Sequence, residues 1–213
     1  MKAVPILILA LAALGACAPD YQPKVPDGGA QPAAATAKGA APAATAVFAG
    51  GCFWCTESDF EKVPGVEAAV SGYTGGALPN PTYEQVSAGG TGHYESVRVT
   101  YDPRRISYAQ LAHYYFRTVD PTDAGGQFCD RGLSYRTAIF VATPEQRRIA
   151  EAEKQAAGAA LGWPIATAIL PAGSFTPAET YHQDYYKKNG LKYHFYRSRC
   201  GRDARLEQVW GGK

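Results

Sequence analysis

The spacing of large apolar residues changes near residue 45, and beyond that point it predicts alternating strands and helices. Thr45 to Ala49 is a short apolar run ending at Gly50-Gly51, a strand followed by a tight turn. Residues 52–62 take helical spacing through Phe53, Glu57 and Phe60 or Glu61, and Pro64-Gly65 ends that helix. Val66 to Tyr73 reads as a strand, and a loop with Pro79, Asn80 and Pro81 follows. From Glu95 to Tyr101 the pattern alternates, placing Val97, Val99, Tyr101 and Glu95 on one face. A helix is predicted over 107–116, a long polar loop over 118–134 and a strand from Thr137 to Val141. Thr143, Pro144 and Gln146 form a helix start with a possible capping box, and that helix stops by Gly162. Ile165 to Leu170 is the next strand. Thr176-Pro177-Ala178-Glu179 reads as a second helix start, ending at Asn189-Gly190. The tail from 191 is a set of short aromatic and basic segments. Such alternation predicts an α+β fold, a compact two-layer α/β sandwich with a mixed sheet.

The first 44 residues follow other rules. Lys2, the apolar run from Ile6 through Leu14 and small Gly15-Ala16 have the layout of a signal peptide over 1–16, too short to span a bilayer. Leu14-Gly15-Ala16-Cys17 resembles a bacterial lipoprotein signal, which makes Cys17 the expected lipidation site and a membrane lipid anchor expected. Residues 17–44 are rich in Ala, Pro and Gly, and the prolines interrupt any Ala-rich helix. That segment is expected to be a flexible tether, leaving 45–213 as one folded domain. A net charge of +2 gives no reason to expect a nucleic-acid partner. The basic residues Arg197, Arg199, Arg202 and Arg205 read as a solvated face.

Candidate chemistry centres on Gly50-Gly51-Cys52-Phe53-Trp54-Cys55. Cys52 follows a glycine turn and opens a helix, where backbone N–H groups favour a thiolate and should lower its pKa. Cys55 completes a CxxC, which by itself could be a thioredoxin-like redox pair. A zinc site is disfavoured because Cys129, Cys200, His182 and His194 are dispersed, and the histidines read as surface or packing residues. Glu95 is either a buried carboxyl with a raised pKa, suited to general acid work, or a member of a structural salt bridge or an exposed strand end. Tyr83 and Tyr135 are phenols beside polar loops; position alone leaves them open between hydrogen-bond donors and core-edge packing.

Read together, these motifs resemble the A-type peptide-methionine sulfoxide reductases. The likeness runs through Gly51-Cys52-Phe53-Trp54, Gly72-Tyr73-Thr74-Gly75-Gly76, Asn80-Pro81-Thr82-Tyr83, Thr91-Gly92-His93-Tyr94-Glu95, Asp120-Pro121-Thr122, Asp130-Arg131-Gly132, Tyr135-Arg136 and Ala178-Glu179-Thr180-Tyr181-His182-Gln183. It departs at Cys55, where the family usually has Gly, and at Ser134, where it often has Gln. The resemblance implies a ferredoxin-like sandwich and reduction of methionine (S)-sulfoxide, free or in proteins. It implies Cys52 as nucleophile, Glu95 as proton donor, Tyr83 and Tyr135 as ligands of the sulfoxide oxygen, Phe53 and Trp54 as the methyl pocket, and Asp130 as an acid at the cleft. A Cys52 sulfenic acid would be resolved by a second thiol, expected to be Cys200 on a mobile tail, with Cys55 its rival and Cys129 a bystander. No bound cofactor or metal is expected, and a thioredoxin-like protein or another thiol donor outside the cytoplasm would be the reductant. A disulfide oxidoreductase using Cys52 and Cys55 is the alternative enzyme. A non-catalytic surface lipoprotein is a third reading.

Overall fold

The computed structural model describes residues 23–24 and 43–211; the expected signal peptide over 1–16, Cys17 and nearly all of the expected tether lie outside the described residues. Its sheet joins β1 (Ala44–Gly50), β2 (Val66–Thr74), β3 (Tyr94–Tyr101), β6 (Thr137–Val141), β7 (Ala168–Pro171) and β8 (Phe175–Pro177) in the order β7-β6-β1-β3-β2-β8. Only β6 and β7 run parallel. Within it, β6-β1-β3-β2 with the intervening helices is a split βαβ arrangement, the ferredoxin-like pattern of an α+β sandwich. The helices are α1 (Phe53–Glu61), α2 (Tyr83–Ala88), α3 (Tyr108–Arg117), α4 (Pro144–Leu161), α5 (Tyr185–Lys188), α6 (Gly190–Arg199) and α7 (Arg202–Trp210).

The alternating face of β3 goes where its pattern sends it. Val97, Val99 and Tyr101 are buried with Phe48 of β1, Phe60 of α1 and Leu111 and Tyr115 of α3. Each such large apolar side chain contributes about 1.5–3 kcal/mol on burial. Glu95, two residues before Val97 on the same face, is therefore drawn inside as well, at 3% exposure. Helix α4 begins as its signals require: Thr143 accepts from the Gln146 N–H at 3.1 Å, with Pro144 next. The box is not closed, because the Gln146 side chain accepts from Ala142 N instead. Gly162 ends the helix in the left-handed conformation.

Four expectations give way to tertiary context. Residues 176–189 are not one helix. Thr176 and Pro177 belong to β8, which lies on β2 with Gly72 opposite Pro177. A Cβ on Gly72 would stand 2.4 Å from the Thr176 carbonyl oxygen, so the glycine admits this strand. The polar loop 118–134 contains a small hairpin, β4 (Gly126–Gln127) and β5 (Asp130–Arg131), and a 3-10 turn over Leu133–Tyr135. The segment after 190 is helical and packed rather than a mobile tail, with Leu206 and Trp210 buried. Two of its arginines are interior. Arg197 pairs with Asp59 at 2.9 Å and Asp203 at 2.6 Å, while Arg202 donates to the Thr118 carbonyl at 2.8 Å and lies 3.6 Å from Asp59. Arg199 and Arg205 remain on the surface, as the solvated-face reading has it.

Candidate active site

Gly51 turns the chain at φ +81°, with the space for a Cβ filled by Gln127, and so delivers Cys52 to the start of α1. Cys52 is the residue before the first helical position, and its carbonyl accepts from the N–H groups of Cys55 and Thr56, each at 3.2 Å. The next N–H, that of Phe53, donates to Glu95 Oε2 at 3.0 Å. One backbone hydrogen bond thus joins the head of α1 to the carboxyl at the start of β3.

Glu95 has its pKa pushed up to about 8, chiefly because burial disfavours its charged form; the Phe53 N–H pulls the other way, and Asp130 adds to the rise. The Tyr135 phenol, on the 3-10 turn, lies beside this carboxyl and the Tyr83 hydroxyl and stabilises the charged form of each. Both phenols are held protonated, above all by burial and then by the negative charge of Glu95. The structure therefore gathers Cys52, Glu95, Tyr83 and Tyr135, with Asp130 acting on the first two.

Cys52 itself departs from the sequence expectation. Its pKa is raised well above that of an ordinary thiol, first by burial and then by Cys55, Glu95 and Asp130. The helix start does not outweigh desolvation and three electron-rich neighbours. Cys55 goes the other way, to about 7: the Cys52 thiol hydrogen-bonds to it, and Arg202 and Arg197 attract its charge, against the opposing effect of burial. Both thiols are unbonded and buried, in a cluster closed by Tyr193.

Phe53 is fully inside, its ring facing Tyr73, Tyr83 and His182. Trp54 is half-buried, stacked on Tyr185 at 3.7 Å between centroids, and donates through Nε1 to His182 Nδ1 at 3.0 Å. His194 is exposed, as a surface histidine, while His182 is a buried packing histidine that also has a specific partner in Trp54. Its Nδ1 must be unprotonated to accept from Trp54, and burial lowers its pKa.

Tyr196 of α6, which sequence reasoning passed over, donates to the Asp130 carboxylate and sets its ring edge-on to Trp54. Glu179 was also passed over. It accepts from Tyr83 N at 2.9 Å and the Tyr73 hydroxyl at 2.8 Å, fixing the start of α2 to β2. Only the motif Ala178-Glu179-Thr180-Tyr181-His182 hinted at Glu179, and nothing in local pattern singles out Tyr196 among 14 tyrosines.

The remaining cysteines do not join this cluster. Cys200, expected to meet Cys52, is bonded to Cys129, expected to be a bystander, across 71 residues. The hairpin tip and the α6–α7 joint meet there, so the two thiols are neighbours although no sequence pattern links them.

A buried thiol beside a carboxyl that stays protonated at neutral pH, with two phenols aimed at the same space, defines a thiol oxidoreductase site on an α+β sandwich. The chain belongs to the peptide methionine sulfoxide reductase family, whose sequence pattern matches residues 44–213. It is 60% identical over 169 residues to the peptide methionine sulfoxide reductase MsrA 2 of Caulobacter vibrioides, covering 79% of this chain and 86% of that one. It is 54% identical to the protein of the same name from Rhizobium meliloti, covering 79% and 84%. Among solved structures, it resembles reduced Mxr1 from Saccharomyces cerevisiae with a TM-score of 0.66 at 31% identity, over 70% of this chain and 86% of that one. Methionine sulfoxide reductase A of Corynebacterium diphtheriae gives 0.63 at 37% identity, over 70% and 76%. The activity is thiol-dependent reduction of free or protein-bound methionine (S)-sulfoxide, through a cysteine sulfenic acid and then a disulfide.

Proposed function

We propose that Cys52 is the nucleophile of this reductase, Glu95 its proton donor, and the Tyr83 and Tyr135 hydroxyls the groups that hold the sulfoxide oxygen. One observation carries the reading: Glu95, its pKa pushed up to about 8 by burial, accepts from the N–H that follows Cys52 and has the Tyr135 phenol beside it. Sulfoxide sulfur is a weak electrophile until its oxygen is protonated or strongly hydrogen-bonded. Glu95 supplies that proton as the Cys52 sulfur attacks. The oxygen passes from methionine sulfoxide to Cys52, methionine leaves, and the proton lost by the thiol replaces the one Glu95 gave. The raised pKa of Cys52 means that it is deprotonated as it reacts rather than beforehand.

Phe53 and Trp54 are assigned to the apolar wall that receives the substrate methyl group; the contacts of Trp54 with Tyr185 and His182 hold that wall rigid. Asp130, held by Tyr196, is assigned to the rim of the cleft. A second thiol then condenses with the sulfenic acid and water leaves; Cys55 and Cys200 compete for that step. The reductant assigned to the resulting disulfide is a thioredoxin-like dithiol protein.

Among the described residues no helix is long and apolar enough to cross a membrane. Lipidation of Cys17, with 17–44 as tether and 45–213 as the reductase domain, would hold the enzyme to the bacterial envelope, facing the periplasm or exterior. The signal-like pattern of residues 1–17 supports this placement.

The test is methionine formation from each sulfoxide epimer of a short peptide by full-chain protein with dithiothreitol, followed by mass spectrometry. Turnover of the S epimer, abolished in Cys52→Ser, is expected. Turnover that survives in a folded Cys52→Ser protein would remove Cys52 from its role.

A further inference from the structure

We propose that Cys55, and not Cys200, resolves the Cys52 sulfenic acid, and that Cys129–Cys200 is a fixed staple which holds the C-terminal helices out of the redox cycle. The inference rests on Cys52 being the nucleophile.

Position favours Cys55. It lies one turn into α1, its N–H bonded to the Cys52 carbonyl, and both sulfurs share the pocket under Tyr193. Residues three apart on a helix have Cβ atoms about 5–6 Å apart. Cys52 sits just outside the helix, at φ −53° and ψ 120°, so a change at that one residue shortens the gap without dismantling α1. Both residues are buried, Cys52 at 6% and Cys55 at 2% exposure. The neighbouring thiol therefore has first access to a sulfenic acid formed there. Arg202 and Arg197 attract negative charge to Cys55 and so favour the thiolate that such a condensation uses.

Position disfavours Cys200. It caps α6, one turn past Tyr196 and two past Tyr193, the residues of that helix that pack in the Cys52–Cys55 cluster. Cys200 stands outside that cluster and is bonded to Cys129, so bringing its sulfur to Cys52 requires the end of α6 to move. That movement would take Arg197 away from Asp59 and Arg202 away from the carbonyls of Gly50 and Thr118. Both guanidinium groups are buried, so no water waits to replace those partners.

The Cys129 side is equally fixed. Phe128 and Cys129 form the two-residue tip of the β4–β5 hairpin, and Phe128 adopts φ +54°, a conformation rare for a bulky residue. Its ring lies 4.6 Å from the Arg202 guanidinium. Arg202 therefore organises both ends of the Cys129–Cys200 bond, two residues from Cys200 and in contact with the residue before Cys129. This pair is built as a joint between the hairpin and the α6–α7 corner.

The chemistry balances within the first pair. Cys52–SOH and Cys55–SH form one S–S bond and release one water; the oxygen and one proton come from the sulfenic acid and the other proton from the Cys55 thiol. An outside dithiol then reduces the Cys52–Cys55 bond to two thiols and is itself oxidised to a disulfide.

The experiment is a single-turnover reaction of fully reduced full-chain protein with excess (S)-sulfoxide peptide and no reductant. It is quenched with N-ethylmaleimide and its disulfides are mapped by mass spectrometry. One methionine per chain and a Cys52–Cys55 bond are expected. The Cys55→Ser protein should still release one methionine but leave Cys52 as a sulfenic acid that dimedone traps. A Cys52–Cys200 bond in either protein, or two methionines per chain through transfer to Cys129 and Cys200, would overturn the proposal. Absence of any methionine from the wild-type protein would instead defeat the assignment of Cys52 on which it rests.

Discussion

Two buried carboxyls flank α1 and are handled in opposite ways. Glu95, at the head of the helix, has only the Phe53 N–H and a phenol for partners, and burial keeps its proton on to about pH 8. Asp59, near the other end, faces two buried arginines, Arg197 and Arg202, that come from helices at the far end of the chain. The first arrangement leaves a proton ready to give. The second spends its interactions on fastening α6 and α7 to α1. A buried acid surrounded by cations is a fastener; one left short of cations is a reagent.

The largest expected effect breaks the reagent. Glu95→Gln should slow single-turnover methionine formation by about 10²–10⁴-fold, the usual range for a lost general acid, with the protein still folded by circular dichroism. Wild-type rate should fall as pH rises through about 8, because Glu95 must be protonated, and this limb should be absent from the variant. The stability sign follows from the same shift. The pKa of Glu95 is higher in the folded than in the unfolded chain, so its contribution to stability is full below the unfolded value. That contribution is lost as pH rises through about 8. Urea unfolding should therefore show wild type losing ground to Glu95→Gln between pH 5 and pH 9. A difference that did not change with pH would place Glu95 among the structural acids.

Breaking the fastener should act on stability instead. Asp59→Ala leaves Arg197 and Arg202 buried without their shared carboxylate, and removing one partner of such a buried pair costs about 3–5 kcal/mol. The urea midpoint should fall accordingly, with the decline in activity above about pH 8 kept in the protein that remains folded. A smaller effect should come from Cys129→Ser with Cys200→Ser, which removes the staple closing a 71-residue separation. Disulfides of this kind contribute about 2–4 kcal/mol. Loss of thermal stability, with a Cys52–Cys55 bond still formed, would sharpen the contrast between the two regions.

Much of the reagent side was legible in the chain. Glu95 shares its face with Val97, Val99 and Tyr101, so period-two alternation alone carried it inside. Gly51 before Cys52 marked the turn that aims the thiol. The fastener side was not legible. Arg197 and Arg202 look like surface cations in a basic tail, because nothing within several residues of them indicates Asp59, 138 positions away from Arg197. The 176–189 helix was misjudged for a related reason: a good local start signal lost to the open edge of β2, made available by Gly72.

By itself the sequence determined the elements whose periodicity and caps agree, the turn before Cys52, and the inward placing of Glu95, since each depends on residues only a few positions apart. Tertiary structure alone decided which thiol holds its proton, which cysteines are bonded, and which arginines are interior. Those outcomes depend on desolvation and on charges brought together from distant parts of the chain, and neither exists until the chain has folded.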